Sequence, residues 1–169
     1  MATWLRSMTD DWAGVRLSPL VWASAFETGD PEIDKEHQEL LFDLNDLSEL
    51  LALGQEWPLI VDKSQRLRDR CFEHFQGEEV VLERAAYEGL ECHKIEHRVI
   101  EHQLDGILSF IVNVAIPSRA AIEAVLLLRS SLVNHFFRYD ISYKTHLLRP
   151  RGQTRGVRDL NRRAAKCGR

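Results

Sequence analysis

The chain has 169 residues, 44% hydrophobic and 28% charged. That is an ordinary globular mix, with enough chain to bury one core without a disulfide framework. It excludes a disordered segment, a collagen-like repeat and a disulfide-rich mini-protein. The net charge is −4, unevenly spread: residues 149–169 hold eight Lys and Arg against one acid, a balance of +7 that leaves −11 for the first 148 residues. An acidic body is a poor match for phosphates, so no nucleic-acid partner is expected.

No stretch approaches the ~20 uninterrupted apolar residues of a membrane span. Arg6, Asp10, Asp11 and Arg16 interrupt the N-terminal region as a signal peptide. Cys71, Cys92 and Cys167 lack paired spacing, so free thiols and a cytoplasmic location are expected.

In chain order, residues 1–20 read as an N-terminal extension, and residues 21–31 as an irregular lead-in ending at the turn Gly29-Asp30-Pro31. Asp34 can cap a first helix with Leu41, Leu44, Leu47 and Leu51 on its apolar stripe, fading at Gly54. Trp57-Pro58 opens a second, whose stripe reads Leu67, Cys71, His74, Glu78, Val81, Leu82 and Ala85. Gly89 separates it from a third, with Leu90, His93, His97, Ile100, Leu104, Leu108 and Ile111. Pro117-Ser118 starts a fourth, with Ile122, Val125, Leu128, Leu132, His135, Phe136 and Tyr139, and Pro150 ends it. No alternating run competes as a strand. The expected architecture is therefore all-α: an antiparallel up-down-up-down four-helix bundle over residues 21–148. An irregular N-terminal arm precedes it, and a basic, flexible tail follows over 149–169, with a short helix at 157–165.

Five of the seven histidines fall on the inward stripes. His93 and His97, and likewise His74 and Glu78, are four apart and so share a helix face. His37 is in register with Leu41 and Leu44, and His135 is accompanied by Asp140. Burying five imidazoles and two carboxylates in one core without a cation would cost several kcal/mol. Seven donors exceed the four of a tetrahedral zinc. They suit two six-coordinate first-row ions bridged by carboxylates, iron or manganese by ligand softness. The offset of five from His135 to Asp140 turns about 140° on an ideal α-helix, so periodicity alone does not pair them.

Trp22, Phe26, Thr28-Gly29, Ile33-Asp34-Lys35-Glu36-His37, His74-Phe75-Gln76-Gly77-Glu78-Glu79, His93-Lys94-Ile95-Glu96-His97 and His135 through Asp140 together resemble the hemerythrin family, and within it the bacterial branch. The resemblance covers about residues 21–147. It implies two Fe ions per chain with an oxo or hydroxo bridge. One would be held by His93, His97 and His135, the other by His37 and His74 with a position left open, and Glu78 and Asp140 would bridge them. It implies reversible O2 binding without catalysis, with NO or small anions as other ligands of the open iron. Three positions depart from the family pattern: Leu82 stands where methionine is common, Glu88 where proline is common, and Ser131 where tryptophan is frequent. The last replaces a large apolar wall with a small polar group.

Other readings attach to the same residues. The site could serve as an oxygen, NO or redox sensor acting on a partner in trans, or support iron handling or peroxide chemistry. His93–His97 also spells the H-x-x-E-H pattern of a zinc hydrolase, which leaves His37, His74 and His135 unexplained. His102 and His146 read as non-ligands, Cys71 and Cys92 as structural, and Phe42, Phe75, Phe136 and Tyr139 as core packing. Gly77 reads either as room for Glu78 or as an incidental surface glycine. The basic tail offers a docking element for an anionic membrane or an acidic protein.

Overall fold

The computed structural model describes residues 18–53, 56–113 and 119–148. The basic tail, most of the N-terminal extension, Cys167, Gly54, Pro117, Ser118 and Pro150 lie outside those residues. Four long helices form the molecule: α1 Pro31–Ala52, α2 Trp57–Arg84, α3 Leu90–Asn113 and α4 Arg119–His135. A π-helical turn, Phe136–Asp140, carries α4 without a break into α5, Ile141–Leu147. Each long helix packs against the next, and α4 returns to α1, closing a four-helix bundle. Among the described residues there are no strands.

Local chemistry explains where the helices begin. The side chain of Asp30 accepts from the backbone N–H groups of Glu32 (3.0 Å) and Ile33 (3.2 Å), with Pro31 in the first turn. Asp30, not Asp34, is therefore the cap. The carboxylate of Asp34 points backwards instead, accepting from the backbone N–H (2.6 Å) and hydroxyl (2.8 Å) of Thr28. It ties the lead-in to the helix. The end of α2 is a Schellman turn, in which the Tyr87 N–H reaches the Leu82 carbonyl (3.0 Å) and the Ala86 N–H that of Glu83 (2.9 Å). Ala86 occupies the left-handed position at φ 51°, a site that favours glycine.

The core runs along the bundle axis through Leu40, Leu44, Leu47, Ile60, Leu67, Phe75, Ile100, Leu104, Ile111, Val125, Leu128 and Leu132. The indole N–H of Trp57 donates to the Ile111 carbonyl (3.2 Å), pinning the start of α2 to α3. The run Arg119–Leu147 is long and apolar enough by composition to cross a membrane. Its buried Leu128, Leu132, His135, Phe136, Asp140 and Tyr143 form the stripe of a bundle helix packed on its neighbours.

The lead-in lies across the bundle. Asn45 pairs with both backbone groups of Leu20 (2.7 and 2.8 Å), and Trp22 and Phe26 stand 5.6 Å apart, with Phe26 edge-on to Phe137 at 4.2 Å.

One expectation about packing needs correction. Phe42 is 68% exposed, so it packs no core, whereas Phe75 and Phe136 are buried. Of the two readings of Gly77, the surface one holds: the residue is exposed, and a Cβ there would meet nothing within 4 Å. Cys71 is a free thiol whose pKa burial pushes up. Replacing Asp30 by alanine should cost about 1 kcal/mol of unfolding free energy, read as a lower urea midpoint with an unchanged slope.

Candidate metal centre

All seven donors named from the sequence, His37, His74, Glu78, His93, His97, His135 and Asp140, are buried at one level of the bundle. Each helix supplies its share by periodicity. α1 carries His37 one turn before Leu40 and Leu41, α2 carries His74 and Glu78, and α3 carries His93 and His97. α4 carries His135 at its last position.

Asp140 reaches the same face because the backbone changes pitch. The N–H of Ile141 bonds to the carbonyl of Phe136, five residues back. In this wider turn five residues cover roughly the angle that four cover in an α-helix. The extra residue removes the 140° discrepancy, and the Asp140 carboxylate turns inward. Exposed Phe137 and Arg138 form the outer side of the turn.

The donors form two groups that share Glu78: one of Glu78, His93, His97 and His135, the other of His37, His74 and Glu78. The Nε2 atoms of His37 and His74 are 3.0 Å apart, as are those of His97 and His135. Glu78 Oε2 lies 2.8 Å from His93 Nε2 and 3.0 Å from His97 Nε2. Asp140 spans the groups, with Oδ2 3.3 Å from His37 Nε2 and Oδ1 3.1 Å from His135 Nε2. Neither oxygen is aligned with a hydrogen-bond donor.

These residues fit a pair of bound cations. Two donors about 2.1 Å from one six-coordinate ion stand about 3.0 Å apart when they are neighbours, which matches the spacing of the paired imidazoles. The set contains nitrogen and oxygen only, and Asp140 presents two buried oxygens with no other use. His102 is exposed, and His146 donates from Nε2 to the Ala85 carbonyl (2.7 Å) at the periphery, so neither belongs to the centre.

Charges inside the site follow from its crowding. Burial pushes the Glu78 pKa up, but hydrogen bonds from His93 and His97 and the charge of His74 outweigh it and hold the carboxyl well below the usual range. Burial and the charge of Glu78 push Asp140 up, and His135 and His37 bring it down to about 2. Burial holds His97 below the usual imidazole range, while the Glu78 contact overcomes burial at His93 and raises it. Both carboxylates are thus ionised and available as ligands.

Three supporting residues escaped the sequence reading. Tyr143, fully buried, donates its hydroxyl to Glu78 Oε1. Burial, reinforced by the charges of Glu78 and Asp140, raises its pKa and keeps it protonated. Glu36 accepts from His74 Nδ1 at 2.7 Å, and Glu79 from His97 Nδ1 at 2.9 Å. The signals were there: Tyr143 is three residues after Asp140 on one helical face, and Glu36 and Glu79 each adjoin a ligand in sequence. An imidazole that binds metal through one nitrogen needs an acceptor for the N–H of the other. Phe75, stacked on His97 at 4.1 Å, completes the packing.

The fold and its buried donors define a helical bundle carrying two groups of side chains that could hold a metal ion. A family model, the hemerythrin HHE cation binding domain, matches residues 28–144. Myohemerythrin of Theromyzon tessulatum is 27% identical over 129 residues, spanning 76% of this chain and 94% of that protein. The chain belongs to the hemerythrin family.

The π turn yields a prediction about length. Deleting Arg138 should convert the turn to α-helix and keep Asp140 facing inward, leaving bound metal per chain unchanged. Inserting an alanine after Arg138 should rotate Asp140 out by about 100° and lower bound metal, measured by elemental analysis.

Proposed function

We propose that this protein binds O2 reversibly at a non-haem di-iron centre, as a carrier or store and not as an enzyme. The observation that carries this reading is the inequality of the two ligand groups. Three imidazoles stand on one side of the shared carboxylates and two on the other. With Glu78 and Asp140 common to both, His93, His97 and His135 would fill one ion's shell, while His37 and His74 would leave the other a position for a small ligand. Nitrogen and carboxylate donors without thiolate suit iron, and an oxo or hydroxo group would serve as third bridge. When bound, such an iron pair supplies the electrons with which O2 is held and released.

The chain's own residues would do the rest. Phe136 lies 4.3 Å from His37, and Trp22 lies 6.3 Å from it. With Phe26 and Phe137 they cover the two-imidazole side and limit water. Tyr143 keeps a proton at Glu78 Oε1, so that oxygen is satisfied without recruiting solvent. The half-buried Ser131 is the polar gap in the apolar wall of α4.

Purified chain should contain two irons, and anaerobic reduction followed by cycles of O2 and argon should give an optical change that reverses each time. One zinc per chain, or an irreversible change on the first cycle, would overturn the reading. His37→Ala or His74→Ala should abolish the reversible change while the three-imidazole group still retains iron. Ser131→Trp should slow autoxidation several-fold, followed as the decay of the oxygenated spectrum; an unchanged rate would remove the role given to that position.

A further inference from the structure

In each ligand group one imidazole, and only one, has its outer nitrogen held. His74 Nδ1 meets Glu36 and His97 Nδ1 meets Glu79, whereas Nδ1 of His37, His93 and His135 has no partner among the described residues. The two holds are unequal. Glu79 is 13% exposed and is itself fixed by Arg98, whose guanidinium donates to both its oxygens (2.9 and 3.1 Å) and also binds Glu101. Glu36 is 45% exposed, and no Lys or Arg pairs with it among the described residues. The firmly held imidazole belongs to the group with three imidazoles, and the loosely held one to the group with two.

We infer that Glu36 and Glu79 are positioning residues, one for each cation, and that their unequal fixing sets an order of uptake in which the His93/His97/His135 group fills first and the His37/His74 group second. Each carboxylate accepts the Nδ1–H, which places the Nε2 lone pair inward before any metal arrives. A group that begins with a locked donor and two further imidazoles has less ordering to do than one with a half-exposed anchor and a single further imidazole. The chain therefore passes through a state with one cation bound. This inference rests on the assignment of the two groups as a two-cation site but not on O2, so the two can fail separately.

The test uses the full-length chain, stripped of metal by chelation and titrated anaerobically with Fe(II) and, in parallel, with Co(II) as a spectroscopic probe. Two resolved equivalents are expected. Glu36→Ala should weaken the second by 10–100-fold and leave the first unchanged, and Glu79→Ala should weaken the first by the same factor. Glu36→Gln should recover most of the loss, because its amide oxygen still accepts from Nδ1–H. Nitrogen NMR of the metal-free chain should show His74 and His97 as Nδ1–H tautomers, and His74 should lose that preference in Glu36→Ala. Equal weakening of both equivalents, no weakening of either, or an Nε2–H tautomer at His74 with Glu36 intact would overturn the inference. Ordered uptake in a chain that fails to bind O2 would leave it standing and overturn the proposed function instead.

Discussion

Seven polar groups meet in the dry middle of a helical bundle with their lone pairs aimed at one another, and the rest of the structure is arranged around that convergence. Unpaired buried carboxylates and imidazoles oppose folding, because each loses its hydration without a full set of partners. Here the inward nitrogens sit 3.0 Å apart in pairs and the Asp140 oxygens find no aligned donor. A cation relieves this by taking several lone pairs at once, so metal binding and folding free energy are coupled in such a site. The apolar layers formed by Leu44, Leu104 and Leu128 give the bundle stability that the polar level alone could not supply.

The two halves of the site differ in more than donor number. The three-imidazole side is packed by Phe75 and anchored through Glu79 and Arg98. The two-imidazole side faces the lead-in, where Trp22, Phe26, Phe136 and Phe137 form an aromatic cover and Glu36 reaches solvent. The firmer anchor thus lies with the three-imidazole half, and the more exposed anchor, Glu36, with the half that has fewer protein donors. Asp34 and Asn45 matter to this division, because their bonds to Thr28 and Leu20 keep the lead-in across the bundle.

Much of this was legible in the residues. Apolar spacing on α1 to α4 gave the helices, and the intervals of four at His74–Glu78 and His93–His97 placed those donors inward without reference to any other protein. Asp140 was not legible that way. Its offset from His135 fits only a π turn, and no local propensity in Phe136–Asp140 announces one; family resemblance, not periodicity, supplied it. Asp30 and Asp34 are both good caps by composition, and the choice depended on the bonds Asp34 accepts from Thr28, six residues earlier. Phe42 went astray because an aromatic beside a leucine stripe reads as core, while its neighbour Leu41 already occupied the inward position. Tyr143, Glu36 and Glu79 are defined by which donor they support, which requires the helices to be in place.

The most direct test is anomalous X-ray scattering from crystals of the purified chain, recorded on both sides of the iron absorption edge. Two iron peaks within about 4 Å of each other, as in other two-metal centres, lying between the carboxylates of Glu78 and Asp140, are the predicted result. A single peak, a zinc signal in place of iron, or imidazoles turned away from a common centre would contradict the account.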